Sequence, residues 1–391
     1  MTPREKEIFD LIQQQPLISQ SEIADQLNIA RSSVAVYIAS MIKQGIIQGR
    51  GYILGFNSEL TPYVCVIGTV AADFIGEIDK MPNPDIVNLY ESTLMYQRYG
   101  GIAKNTAEIL SSLDLKPKLI AALGKDIWGQ ACLQECQQHN ISTEGCIDVD
   151  GSATDIYWEI RYKQPQRILL RLANCKLRSF LTPEVLLSRR HLIAQAKSIV
   201  VEDGLPIESL QYLLDSVDRK KLFLETTDPA DRRKQVRHLL PAFGNIIASC
   251  EYLCQIYETI PLPEKYSIDE VTNIARLLLE EGFGSCLFTF GPQYLCYLHH
   301  KRLYISSARF NDGEENPIYQ RFQLCRACIT GTFVHCQISG DTPEVMLRKI
   351  AIARHHAALS GNIVPCDFSL STISKYYSKM DDQLQVVSLQ S

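Results

Sequence analysis

From Pro62 onward the sequence alternates short apolar runs with amphipathic stretches, and this rhythm restricts the fold more than any other feature. The runs are Tyr63-Val64-Cys65-Val66-Ile67 and then segments 118–122, 198–201, 221–224, 245–248 and 286–289. Helical patterns fall near 104–114, 128–139, 206–217, 267–282 and 342–359. Strands apolar at every position are buried on both faces, and strands separated by a helix pair in parallel. The pattern predicts an α/β domain over residues 63–370, a parallel sheet with helices on both faces, followed by a tail, 371–391, without an interpretable motif.

Residues 1–55 read differently. Thr2-Pro3 is a helix N-cap with proline at the first helical position, and Ile8, Phe9, Leu11 and Ile12 recur at helical spacing. Ser19 and Glu22 form a capping box for a second helix with Ile23, Ala24 and Leu27 inside. After the turn Asn28-Ile29-Ala30, a third helix places Val34, Ile38, Met41 and Ile42 on one buried stripe. Gly45 closes it, and residues 46–54 form a hairpin with Arg50 at its tip, joined to the larger domain by the linker 56–62. This order is that of a winged helix-turn-helix. Its DNA-facing candidates are Arg31, Ser32, Ser33 and Tyr37 on the third helix and Arg50 on the wing. Residues 1–54 hold five Lys or Arg against five Asp or Glu, and the acids all lie on the first two helices. So few cations per copy imply weak monomer binding, and specific recognition needs a dimer; the other reading is a winged helix used only for protein contacts.

The chain has 391 residues, 46% hydrophobic and 21% charged, and a net charge of −5, so any attraction to DNA must be local. No run of about 18 apolar residues occurs, and the start MTPREKEIFD lacks the features of a signal peptide. A cytoplasmic protein with no membrane partner is the expectation. The thirteen cysteines are scattered through apolar strings, as reduced, buried small hydrophobes would be. One group, Cys325, Cys328, His335 and Cys336, has ligand-like spacing; it binds metal only if all four side chains converge, and no protein-held metal is expected.

Three motifs then occur in order: Ile67-Gly68-Thr69-Val70-Ala71-Ala72-Asp73, Gly100-Gly101-Ile102-Ala103-Lys104-Asn105-Thr106-Ala107 and Leu123-Gly124-Lys125-Asp126-Ile127-Trp128-Gly129. They resemble the opening strand, the G-G-x-x-x-N-x-A signature and the G-x-D-x-x-G element of the ribokinase-like (PfkB) carbohydrate kinases. The resemblance implies a ribokinase-like parallel-sheet sandwich with a small β lid, to which residues 154–160 are assigned, and a homodimer paired through that lid. It also implies a sugar or nucleoside held by Asp73, Gly100, Gly101 and Asn105. A strand-end carboxylate can accept two hydrogen bonds from a vicinal diol, and paired glycines admit close backbone approach. Segments 167–172 and 180–184, together with the winged helix, are similar to the pseudouridine kinase branch, which makes a pseudouridine-like ligand the first expectation.

The nucleotide-side motifs depart from the family. Its Gly-Ala-Gly-Asp segment opens a helix and supplies an anion hole and a base, whereas this chain reads Arg326-Ala327-Cys328-Ile329-Thr330-Gly331-Thr332-Phe333-Val334. Alignment on Phe333 puts Gly331 at the aspartate position; alignment on Thr330-Gly331 puts Val334 there. Neither supplies a base. Ala248-Ser249-Cys250-Glu251 keeps only the glutamate of N-x-x-E, and Thr289-Phe290-Gly291-Pro292-Gln293-Tyr294 keeps one glycine of two. Thr330, Gly331 and Thr332, with Glu251 and Gly291, are the candidate nucleotide and anion-hole residues. The acidic loop Asn311-Asp312-Gly313-Glu314-Glu315 reads as a solvated loop, with a substitute base from it as the alternative. Two functions remain open: a DNA-binding regulator whose degraded kinase domain senses a sugar or nucleoside, or a working kinase using ATP and Mg2+.

Overall fold

The computed structural model describes residues 2–15, 18–44, 46–47, 62–81, 91–92, 94–163, 167–227, 233–263, 265–310 and 322–389. The chain divides into compact units at Thr61 and Pro62.

In the first unit, helices α1 (Pro3–Gln14), α2 (Gln20–Leu27) and α3 (Arg31–Lys43) bury Ile8, Ile12, Ile23, Val34, Ile38 and Met41 together. Thr2 with Glu5 and Ser19 with Glu22 close capping boxes, satisfying the first N–H groups of α1 and α2. Asn28 takes the left-handed conformation at φ 50° and turns the chain toward α3. Glu5 also accepts from Ser40 Oγ at 2.7 Å, tying α1 to α3. Ile42, expected on the buried stripe, is 52% exposed: Val34, Ile38 and Met41 already fill the contact, and Ile42 falls at its margin. Gly45, Arg50 and the hairpin residues 48–54 lie outside the described residues, as do most of the linker and the loop 311–315.

The second unit contains β1 (Tyr63–Ile67), β2 (Ala71–Ile78), β3 (Leu94–Gly100), β4 (Lys116–Ile120), β5 (Ala122–Gly124), β6 (Ile147–Val149), β7 (Ile156–Tyr162) and β8 (Arg167–Asn174). It continues with β9 (Ser198–Glu202), β10 (Leu222–Glu225), β11 (Asn245–Ser249), β12 (Ser285–Phe290), β13 (Tyr294–His299), β14 (Arg302–Phe310) and β15 (Met380–Ser388). Nine strands form the main sheet in the order β15-β14-β13-β12-β11-β10-β9-β1-β4, parallel from β4 to β12 and antiparallel beyond. Successive residues of the apolar strands point to opposite cores. Cys65, Ile67, Val201 and Leu224 join one, with helices Ile207–Ser216 and Ile268–Glu280. Val64, Val66, Val200 and Phe223 join the other, with helices Ile102–Ser112, Phe322–Ser339 and Pro343–Ser360. Burial on both faces is why these strands carry no polar alternation.

A second sheet, β3-β2-β7-β8, is the lid, and it includes residues 156–160. The segment expected to be a featureless tail is part of the fold. Helix Leu370–Tyr377 buries Ile373, and β15 pairs with β14 along its whole length, from Phe310 opposite Met380 to Arg302 opposite Ser388. Its pattern, MDDQLQVVS, is too polar to announce a strand, because only one of its faces meets the core.

Candidate functional site

Asp73 stands on β2 and is buried. A Cβ on Gly100 would lie 2.3 Å from Asp73 Oδ2, so the carboxylate occupies space that only glycine leaves open. Gly101, at φ 98°, sits so close to Thr69 and Val70 that a Cβ would lie 2.4 Å from Thr69 O. Gly101 also starts helix Ile102–Ser112, whose first turn presents a half-buried Asn105 with no side-chain hydrogen bond among the described residues. The four expected substrate-side residues therefore lie on segments packed against one another. A residue the motifs did not reveal joins them: Arg98 on β3, opposite Asp73 in register, donates from Nε to Asp73 Oδ2 at 3.0 Å. Burial pushes the Asp73 carboxyl up and Arg98 opposes that shift.

More carboxylates crowd the C-terminal ends of β9 and β10, the crevice where open parallel sheets take ligands. Glu202 accepts from Thr69 Oγ1 at 2.6 Å and leaves its Oε1 without a hydrogen bond. Asp203 accepts from Thr227 N at 2.8 Å and from Tyr252 OH. Glu225 accepts from Thr106 Oγ1 at 2.8 Å, and its Oε1 lies 3.2 Å from Arg326 Nε, an ion pair whose alignment makes no hydrogen bond. Burial raises all three carboxyls, that of Glu225 to about 7.

The phosphate side corrects the sequence reading. Helix Phe322–Ser339 is continuous, and Thr330, Gly331 and Thr332 lie in its third turn, fully buried. Their N–H groups are spent on intrahelical bonds, so they form no anion hole. Gly331 has a packing role instead: a Cβ there would lie 2.4 Å from Ile109 Cγ2, so the glycine lets this helix close on helix Ile102–Ser112. Arg326, near the start of the helix, is the residue that reaches the crevice, where it also donates to Thr226 O at 3.3 Å. Gly291 follows β12, and a Cβ there would lie 2.5 Å from ring carbons of Tyr266. Arg354 donates to Gly291 O and Pro292 O at 3.3 and 2.9 Å, so the carbonyls of this loop are already engaged. Glu251 lies in the first turn of helix Cys250–Ile256, capped by Ser249.

Asp126 proves to be architectural: it caps helix Ile127–Gln138 and accepts from Gly129 N and Thr154 N at 2.8 and 2.7 Å. Cys325 and Cys328 donate to Arg354 O and Ile363 O, and they do not converge with His335 and Cys336. Among the described residues the one gathering with metal-like geometry is Glu108, Glu135 and His139, and the buried ammonium of Lys104 already bonds to both glutamates. On α3, Arg31 and Ser32 are exposed, whereas Ser33 and Tyr37 are half-buried and Tyr37 packs on the core. No described helix is long and apolar enough to cross a membrane.

Comparison with known proteins agrees with this geometry. Residues 61–256 match the model of the pfkB family carbohydrate kinases, and residues 1–48 match a winged helix-turn-helix DNA-binding model. The chain is 30% identical over 241 residues to the uncharacterized sugar kinase YeiI of Escherichia coli, covering 61% of this chain and 64% of that one. It is 25% identical over 187 residues to the pseudouridine kinase of the same organism, covering 46% and 58%. It thus spans less than two-thirds of the length of either relative. Among solved structures, a carbohydrate kinase from Agrobacterium tumefaciens superposes with a TM-score of 0.65 at 16% identity, over 84% of this chain and all of that one. Arabidopsis thaliana ribokinase, solved with ribose and ATP, gives 0.63 at 14%, over 81% and 99%. These likenesses establish a ribokinase-like fold, and the chain belongs to the pfkB family of carbohydrate kinases, with a winged helix-turn-helix domain at its N-terminus.

Proposed function

We propose that this chain is a DNA-binding regulator whose kinase-like domain binds a sugar or nucleoside at Asp73, Gly100, Gly101 and Asn105 and transfers phosphate weakly or not at all. The observation that carries the reading is the Arg326–Glu225 pair: near the start of the helix that should furnish a base, the chain sets a cation and holds it with a buried carboxylate. Tyr266 against Gly291 adds to it, since the ring takes space at the loop expected on the adenine side of a nucleotide. The residues present do not fit ATP and Mg2+ as the family motif would. The similarity to a pseudouridine kinase makes a pseudouridine-like nucleoside the first ligand to try.

Regulation further requires two copies, because one winged helix offers few phosphate contacts. The lid supplies a surface for pairing. Trp158 faces Phe74 and Leu172 in register, with Ile160 opposite Leu170 and Met95 beside Gly76. Met95, Trp158, Leu170 and Leu172 are all exposed, a contiguous apolar face of the kind a homodimer covers. The ligand then acts by binding one dimer arrangement more tightly than another.

The rival reading, an ATP-dependent sugar or nucleoside kinase, has one observation in its favour: the Glu225 carboxyl, raised to about 7 by burial, has the affinity a general base needs. One experiment separates them. Purified chain is titrated calorimetrically with pseudouridine, ribose, adenosine and fructose, then incubated with each plus labelled ATP and magnesium. The proposal expects saturable binding of one compound, lost in Asp73→Asn and in Gly100→Ala, with no product at ordinary kinase rates. Rapid product formation would defeat it in favour of the kinase.

A further inference from the structure

We propose that Cys250 and Cys254 are a modification site, a dithiol that hydroperoxides close to a disulfide, and that closure resets Tyr266 against Gly291. Cys250 is the first residue of helix Cys250–Ile256 and is buried; Cys254, one turn later, is half-buried. Their Sγ atoms are 3.7 Å apart, and Cys254 Sγ donates to Pro261 O at 3.3 Å. With the Cys254 proton committed to that carbonyl, the Cys250 thiol is the donor between the two sulfurs.

Other cysteines show what is particular here. Cys132 and Cys136 have the same four-residue spacing on helix Ile127–Gln138, yet both are buried and share no hydrogen bond. Cys325 and Cys328 are each tied to a different backbone carbonyl. Burial pushes Cys65 up to about 12 and Cys136 to about 11, whereas donation from Cys250 holds the Cys254 thiol below its ordinary range.

Residues four apart on an intact helix hold their Cβ atoms about 5–6 Å apart, more than the about 3.5–4.5 Å a disulfide spans, so closure requires the first turn to unwind. The sulfurs must approach from 3.7 Å to about 2.05 Å. Because Cys250 opens the helix, the adjustment falls on a terminal turn.

The Cys254 thiolate attacks one oxygen of the hydroperoxide, forming an S–O bond and breaking O–O; the departing alkoxide takes up the thiol's proton and leaves as an alcohol. Cys250 then attacks the Cys254 sulfenic acid, S–S forms, S–O breaks, and hydroxide leaves as water with the Cys250 proton. Two thiols lose two electrons and the hydroperoxide gains them. Closure deprives Pro261 O of its donor. Tyr266, 41% exposed, follows Pro261 closely in the chain, and its ring rests on Gly291. The disulfide therefore alters the contact that covers the Gly291 loop.

The test treats the full chain with graded hydrogen peroxide, blocks remaining thiols and maps peptides by mass. Exposed Cys175 and Cys366 are internal standards. The expected result is a Cys250–Cys254 disulfide at peroxide levels that leave both standards alkylated, with a Cys250→Ser chain giving a trappable sulfenic acid at Cys254 instead. Backbone hydrogen exchange around Gly291 is expected to quicken several-fold on oxidation, and to stay unchanged in Cys254→Ser. Free thiols at 250 and 254 when the standards are already oxidised would overturn the site. A disulfide without altered exchange would overturn the coupling to Tyr266.

Discussion

Arg326 Nε lies 3.2 Å from Glu225 Oε1, joining the opening of helix Phe322–Ser339 to the C-terminal end of β10. Both side chains are largely out of water, so their value is asymmetric: the pair adds little over apolar packing, yet removing one member strands the other. Arg326→Ala is expected to lower unfolding free energy by about 3 kcal/mol in urea titrations, and Arg326→Ala with Glu225→Gln to recover most of that. Additive losses in the double variant would mean the two residues do not act as a pair.

The Glu225 carboxyl also sets a pH dependence. Burial raises it from 4.5 to about 7 in the folded chain, so between those values the folded state holds a proton that the unfolded state has released. Stability from this group is complete below pH 4.5 and declines as pH rises toward 7, by up to about 3 kcal/mol. Asp155, raised to about 6, contributes in the same direction. Urea midpoints measured across this window should fall with rising pH, and fall less steeply in Glu225→Gln.

Gly331 offers a direct check on its packing role. Gly331→Val places methyl groups against Ile109 and is expected to destabilise the chain by about 1–3 kcal/mol. Ile109→Ala, itself destabilising, should relieve part of that loss when combined with it, as read by thermal unfolding. Without any such relief, Gly331 must be constrained by something other than Ile109.

For the winged helix, Arg31→Ala should weaken retention on the protein's own promoter DNA and reduce the slope of log K against log salt by about 1. A wild-type chain showing no preference for that DNA over random duplex would remove the regulatory reading.

The lid face predicts the oligomeric state. Trp158→Asp or Leu172→Asp is expected to convert a dimer to a monomer in light scattering, while leaving the far-ultraviolet dichroism unchanged. Monomeric wild type at micromolar concentration would refute pairing through this sheet.

Much of this was readable in advance where the physics is local. The spacing of Val34, Ile38 and Met41, the capping box at Ser19 and the all-apolar strands each express one element's own geometry. So do the glycines beside Asp73, because close backbone approach excludes every other residue. What escaped is non-local. Arg98 reaches Asp73 only because β3 pairs with β2, and Tyr266 meets Gly291 only after β12 and a loop are both in place. A glycine needed for helix packing, as Gly331 is, and one needed for an anion hole look alike in one dimension; only the turn it occupies separates them.

The placement of β15 outside β14 has a kinetic consequence. β14 is complete at Phe310, yet its outer row of amide and carbonyl groups finds no partner until the chain through Ser388 has returned to it. Until then the nascent domain carries a bare strand edge, the feature by which unrelated chains join into aggregates. A variant shortened before Met380 would hold that edge open permanently and should be recovered mainly as insoluble material.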